Sequence, residues 1–355
     1  MRAGVVVIAH PGAEDLAVQA EELGLHSFWL YDTPMVHGDP FVALGLCAKA
    51  TSRIRLGIGV TSPALRSAPA AASAFASLNA LAPGRIICGI GTGNTARRTL
   101  GMRPTTAATM ENFTSALQNL CAGRTIEYRE GDRVRNVRFL HTGAHANTAD
   151  PIEFVVAALP GPKAAAVAGR RGTGLISFGL LDPTAWQALH DARRHAAHDT
   201  PRAPDSRMDS YVVTALHILD EGEDPRGDAA RDATGHIVLS LLAFAADTAA
   251  DARAFAEQLG PEEREAVRRL LDRRGTTATA PDRHTKLYPN CLERIAPEDR
   301  DLILPSLMDT LALVGTRNDL RARITILEQA GVDELLIQPV IDPPTEMAQL
   351  AKLLT

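Results

Sequence analysis

The chain is poor in aromatic residues, which make up 4% of its 355 positions. That scarcity argues against the stacking platform single-stranded nucleic acid requires. A basic surplus is also missing. Lys and Arg number 37 against 42 Asp and Glu, a formal net charge of −5, so no footprint for a nucleic-acid backbone is present. The four cysteines, Cys47, Cys88, Cys121 and Cys291, are widely spaced and form no C-x-x-C pair. Cys47 and Cys88 lie in apolar segments and read as small core residues. No run approaches the roughly 20 apolar residues of a membrane helix. The apolar stretch of the N-terminal MRAGVVVIAH is too short for a signal peptide. No membrane association and a reducing, cytoplasmic location are the expectations. Catalytic signatures are absent too: there is no H-E-x-x-H, no G-x-S-x-G, no Walker A loop and no zinc spacing. His195 and His198, at i, i+3 on a charged segment, read as surface residues rather than a metal pair, and no metal is expected.

What is present is a rhythm. Hydrophobic residues make up 45% of the chain and charged residues 22%, the profile of a globular protein with a sizeable core. Gly4–Ala9 is an uninterrupted apolar run, as in a strand buried on both faces. A helix follows with Leu16, Ala20 and Leu23 on one face. Ser27–Tyr31 reads as a second strand. Asp39-Pro40 then opens a helix, Asp as cap and Pro in the first turn. Ile54–Val60 and Arg85–Ile90 read as strands three and four, separated by a helix carrying Ala71, Phe75 and Leu78. Further strands are expected at 152–158, 175–178, 211–219 and 334–340. Each β–α step takes about 25–30 residues, the period of a parallel α/β fold.

Eight strands in this order predict an α/β protein of the (β/α)8 TIM barrel type, a single domain over 1–355 with insertions after strands four and seven. The first insertion is a surface hairpin around Glu130-Gly131-Asp132, within 125–150. The second is helical, over 220–310, and suits either a cap over the barrel mouth or a peripheral helical pair used for dimerisation. A doubly wound dinucleotide-binding sheet fits less well. Gly89, Gly91 and Gly93 give G-x-G-x-G, with Asn94 where the third glycine of the dinucleotide fingerprint would fall.

In a barrel, the C-terminal ends of the strands carry function. The sequence puts His10 after strand one, Asp32 after strand two, and Gly59-Val60-Thr61 at the end of strand three. Thr92-Gly93-Asn94 follow strand four, Gly161-Pro162-Lys163 follow strand five, and Gln338 ends strand eight. Glycines permit close backbone approach to a flat ring or a phosphate, and helix starts favour anions. Each feature also has a plainer reading: His10-Pro11 as a turn, Asp32 as a cap, the glycine run as a tight βα turn. Arg66 and Lys163 lie near rim loops and suit anion contacts, whereas Arg97 and Arg98 read as solvated surface charges.

Four stretches, ELGLHSFWLYDTP, DPFVALGLCAKATSRIRLGIGVTSP, ASLNALAPGRIICGIGTGNTARRTLGMRP and LPGPKAAAVAGRRGTGLISFG, resemble the luciferase-like monooxygenase superfamily, and its coenzyme F420-dependent methylenetetrahydromethanopterin reductase branch most closely. The C-terminal LVGTRNDLRARITILEQAGVDELLIQP is a weaker match. The resemblance implies a flavin or deazaflavin ring on the barrel rim, backed by a non-prolyl cis peptide matching Gly59–Val60. It places Thr61, Thr92, Gly93 and Asn94 near the ring or its ribityl chain, and Gly161, Pro162 and Lys163 near the cofactor phosphate. Asp32 matches a position that is acidic in many F420 enzymes. Many members follow it with His, where this chain has Thr33, a departure that bears on proton donation.

Two chemistries follow from the resemblance. One is a monooxygenase using reduced FMN, slightly favoured, with a separate flavin reductase as a partner. The other is an F420H2-dependent reductase passing a hydride to a C=N or C=C bond, with His10 or Asp32 supplying the proton. A non-catalytic flavin-binding homologue is a third reading. The substrate would be a small organic molecule, and a homodimer is expected.

Overall fold

The structure is a computed structural model that describes residues 1–143, 145–159, 161–197, 208–248 and 259–354. Pro160 and His198, both noted in the sequence, lie outside the described residues. The strands are β1 (Arg2–Val7), β2 (Ser27–Leu30), β3 (Arg55–Thr61), β4 (Ile86–Ile90), β5 (Ile126–Glu130), β6 (Arg133–Val137), β7 (Glu153–Ala157), β8 (Gly174–Phe178), β9 (Ser210–Ile218), β10 (Ala312–Gly315) and β11 (Glu334–Ile337). Eight of them, in the order β1-β2-β3-β4-β7-β8-β9-β11, pair in parallel and close on themselves. This is the (β/α)8 barrel the strand count predicts. β5 and β6 form an antiparallel hairpin outside it.

Alternation along the strands explains the continuous apolar runs. Val5 and Val7, Phe28 and Leu30, Leu56 and Ile58 point outward into the layer beneath the helices. Val6, Trp29, Ile87, Val155, Ile176, Tyr211 and Leu336 point inward and fill the barrel. Both faces are covered, so both are mostly apolar. Inside, Trp29 meets Tyr211 edge to face, ring centroids 5.1 Å apart. Gly57 is glycine for the same reason: a Cβ there would run into the Trp29 indole.

The second helix begins where the sequence placed its cap, and a further cap appears near the C-terminus. Asp39 accepts from Phe41 N at 2.8 Å at the start of the Pro40–Ala50 helix, and Thr316 with Asp319 makes a capping box for the Arg317–Gln329 helix. All four cysteines are buried. No described helix is long and apolar enough to cross a membrane.

Sequence periodicity misses one strand. β10 lies just past the 220–310 segment and pairs with the upper half of β9, Ala215–Ile218, while β11 takes the lower half, Tyr211–Thr214. Four residues between two helices are too few to show a period. The Asp228–Thr248 helix lies across this end of the barrel and organises a second apolar cluster, with Ile237, Val238, Leu242, Leu270, Ile295 and Leu302 among its members. This helix and the described segments after it, residues 259–311, are called the lid below.

Candidate functional site

The site grows from a fault in the pairing of β3 with β4. Ile58 pairs with Cys88 but Thr61 pairs with Ile90, so three steps on β3 oppose two on β4. The Gly59–Val60 peptide within this bulge is cis. The bulge turns Val60 toward the barrel interior, where it packs against the inner cluster. The residue after β4 makes room by being glycine: a Cβ on Gly91 would lie 2.8 Å from Val60 Cγ2 and 3.3 Å from Ala157 Cβ. Gly59 and Val60 stay half-exposed at the floor of the mouth. Glycine is needed again at Gly93, whose φ of 78° opens the short Asn94–Arg98 helix.

Asp32 sits directly after β2, 3% exposed. Its Oδ2 accepts from Thr61 Oγ1 at 2.7 Å and from Arg66 Nη1 at 2.6 Å. Burial raises its pKa, while Thr61 and Arg66 oppose that rise. Arg66 also pairs with Asp39 and lies over the Phe41 ring, 4.4 Å from its centroid. Arg66 therefore neutralises protein carboxylates, which corrects its reading as an anion contact. His10 is half-exposed at the end of β1, its Nδ1 2.7 Å from Pro11 O. It is not hydrogen-bonded to Asp32 among the described residues.

Strand order sets the other predicted residues along one rim. Thr92, Gly93 and Asn94 follow β4, and Thr92 O accepts from Thr105 N at 2.9 Å. Gly161, Pro162 and Lys163 follow β7 at the start of the Pro162–Arg171 helix and are exposed.

Sequence reasoning missed the groups that cover this rim. Cys291 and Leu292, from the lid, belong to the inner-barrel cluster beside Tyr31 and Val213. Gln338 Nε2 donates to Leu292 O, and its Oε1 accepts from Tyr31 OH at 2.8 Å. His37 Nε2 lies 3.0 Å from Cys291 O and Nδ1 lies 2.6 Å from Thr33 Oγ1. A carbonyl only accepts, so Nε2 carries the proton and Nδ1 accepts from the threonine. Burial pushes the His37 pKa down, favouring this neutral form. His37 stands four residues after Thr33 in the same β2 loop, the one signal that could have drawn attention to it. Arg98 is also corrected: its side chain is only 12% exposed and pairs with Asp247 of the lid.

A floor of bare peptide and Val60, glycines that leave space above it, and the half-exposed Thr92 suit a flat heteroaromatic ring with polar edges, while Thr61 is fully buried beneath them with its hydroxyl on Asp32. A cleft of about 1180 Å³ lies at the opposite end of the barrel, lined by Arg2, Glu21, Arg55, Arg85 and Glu153. In this fold that end is where stability rather than chemistry resides.

The closed parallel barrel with a bulged rim defines a class shared by many enzymes, and the matches narrow it. The luciferase-like monooxygenase pattern spans residues 9–334, and the chain belongs to that family. It is 38% identical over 179 residues to an F420-dependent glucose-6-phosphate dehydrogenase of Kineococcus radiotolerans, covering 46% of this chain and 50% of that one. It is 26% identical over 224 residues to limonene 1,2-monooxygenase of Rhodococcus erythropolis, covering 60% and 57%. The chain thus spans about half the length of these two relatives. A 5,10-methylenetetrahydromethanopterin reductase of Methanolobus tindarius matches at 26% over 97% of this chain and 93% of its own. Among solved structures, the coenzyme F420-dependent tetrahydromethanopterin reductase of Methanopyrus kandleri superposes with a TM-score of 0.66 at 19% identity, covering 99% and 97%. The FMN complex of the oxygenating constituent of 3,6-diketocamphane monooxygenase from Pseudomonas putida gives 0.61 at 16%, covering 100% and 97%. Both structures share this fold.

Proposed function

We propose that the chain is an oxidoreductase that holds a flavin or deazaflavin ring on the Gly59–Val60 floor, with coenzyme F420 as the favoured cofactor. The carrying observation is the half-exposed Gly59–Val60 peptide at the barrel mouth, with Val60 turned inward and Gly91 clearing the space beside it. Thr61, Thr92, Gly93 and Asn94 would hold the ring edge and the chain attached to it, and Gly161, Pro162 and Lys163 a phosphate. When bound, the cofactor would supply the hydride to a small organic acceptor. The protein's part is to position that acceptor, exclude water and move a proton. His10 is the proton-exchanging candidate, because it is half-exposed and can re-equilibrate with solvent. Asp32, tied to Thr61 and Arg66, would fix Thr61 rather than give up a proton. F420 is favoured because the nearly full-length relative is a reductase and the most identical of the three relatives described is F420-dependent.

A second reading, a monooxygenase using reduced FMN from a separate flavin reductase, is supported by the limonene monooxygenase match and by the covered mouth, where Cys291 and Leu292 keep water out. Parallel titrations with F420 and FMN, each oxidised and reduced, decide between the two. Micromolar binding of F420 alone supports hydride transfer, and tight binding of reduced FMN alone overturns it. Binding of neither points to a non-catalytic homologue. A homodimer belongs to the same reading, supported by Val42 and Leu46, exposed one turn apart on the Pro40–Ala50 helix. Sedimentation as a monomer at micromolar concentration would remove it.

A further inference from the structure

Asp247 lies at the end of the Asp228–Thr248 helix, its side chain 6% exposed. Three side chains converge on it. Arg98 Nη1 donates to Oδ2 at 3.2 Å, Arg283 Nε donates to Oδ1 at 2.8 Å, and Tyr288 OH is 3.4 Å from Oδ2. Two of these partners come from the lid. Arg98 comes from the loop after β4, and it has a second contact: its Nε donates to Asn94 Oδ1 at 2.8 Å. Its guanidinium lies over Phe244 of the lid helix, 5.1 Å from the ring centroid. A guanidinium presents its donors along fixed edges of one plane. A carboxylate that fixes one edge therefore fixes the direction of the other. Here the fixed edge determines which half of the Asn94 amide is occupied, Oδ1, and which half is left to donate, Nδ2.

We infer that Asp247 is a positioning residue for the cofactor loop, acting through Arg98 to hold the Asn94 amide with Nδ2 available to a ligand on the β4 rim. The inference rests on the cofactor reading above. It makes the lid contribute to the binding site through Arg98, at one remove from the ligand. Asp232 provides the control. It lies on the same helix, is also buried, and is also clamped by two arginines: Arg300 Nε at 2.6 Å and Arg294 Nη2 at 3.2 Å. Both of those partners lie within the lid, and neither comes from the β4 loop.

The test uses the full chain with Asp247→Asn, Asp232→Asn, Arg98→Gln, Asn94→Ala and the Asp247→Asn/Arg98→Gln double variant. Three quantities are read: affinity for F420 and FMN, amide exchange of residues 91–98 without ligand, and melting temperature. Asp247→Asn should weaken cofactor binding about tenfold, the worth of one well-placed hydrogen bond, and speed exchange at 91–98. In the Arg98→Gln background it should add no further loss. Asp232→Asn should lower the melting temperature and leave affinity and exchange unchanged. Equal losses of affinity from Asp232→Asn and Asp247→Asn would overturn the inference, since lid stability alone would then explain both. So would a loss from Asp247→Asn that persists without Arg98. A wild-type chain that binds neither cofactor defeats the functional reading, and the exchange measurement then decides by itself whether Asp247 governs the loop.

Discussion

The two ends of the barrel solve the problem of buried charge in different ways. At the N-terminal end the partners are carried mostly by the strands themselves. Glu334 of β11 accepts from Ser27 of β2, and Glu153 of β7 pairs with Arg55 of β3 and accepts from Tyr211 OH of β9 at 2.7 Å. At the C-terminal end the partners come mostly from loops and the lid: Arg66 on Asp32, Arg98 and Arg283 on Asp247, the carbonyls of Cys291 and Leu292 on His37 and Gln338. Pairs carried by strands move only if the sheet moves. Pairs carried by loops can be exchanged for contacts to a ligand. The cleft at the N-terminal end is therefore a concavity among committed charges, and the mouth at the other end is where partners can be exchanged for a ligand.

Breaking a strand-carried pair should have the largest effect. Glu153→Ala leaves Arg55 and Tyr211 buried without their acceptor and should lower stability to urea by about 3–5 kcal/mol, with cofactor affinity of the folded fraction unchanged. A loss below 1 kcal/mol would erase the contrast between the ends. Next in size is an acid effect from the lid. His236 is 2% exposed, neither ring nitrogen has a hydrogen-bond partner, and burial pushes its pKa down to about 3. The unfolded chain takes up this proton near pH 6.5, whereas the folded chain does not until about pH 3. The stabilising contribution is thus whole above pH 6.5 and declines as pH falls toward 3, by about 1.4 kcal/mol per pH unit. Melting curves of His236→Leu should show a shallower acid slope than wild type. His190, pushed down to about 4 by burial, keeps part of the slope in both proteins.

Smaller effects sharpen the comparison at the mouth. Gly91→Val puts a side chain against Val60 and Ala157 and should weaken cofactor binding at least about tenfold, a difference near 1.4 kcal/mol, with the barrel still folded by circular dichroism. An unchanged affinity would move the ring off this floor. Lys163→Ala should be the mildest: stability within about 0.5 kcal/mol of wild type, and a few-fold loss of cofactor affinity that fades at high salt as screening takes over. A loss that persists in molar salt would mean that Lys163 does more than attract charge.

How much of this was legible in the sequence follows from the range of each signal. Strands buried on both faces announce themselves as apolar runs, so β1 to β4 and their helices could be read directly. The rim residues followed from position at strand ends, and Gly59–Val60 from resemblance. β10 was too short to show a period. Arg98 was misread because its partner, Asp247, lies 149 residues away, and no local pattern separates a solvated arginine from one that meets a buried carboxylate. Cys291, unlike Cys47 and Cys88, lies in no apolar run that would mark it as core, and its place inside the barrel depends on how the lid folds back, which periodicity does not encode.

The change of partner along β9 has a further consequence for the wall itself. Up to Thr214, β9 is zipped to β11; beyond it, Ala215–Ile218 pair with β10 instead, and β9 stands between the two. β11 has four residues against the nine of β9, so on that side the ring of hydrogen bonds is laddered in its lower storey alone. Gln338, the residue that follows β11, stands where that ladder runs out, and the carbonyl of Leu292 is fastened there. The lid is moored to the barrel at the top of one of its short strands.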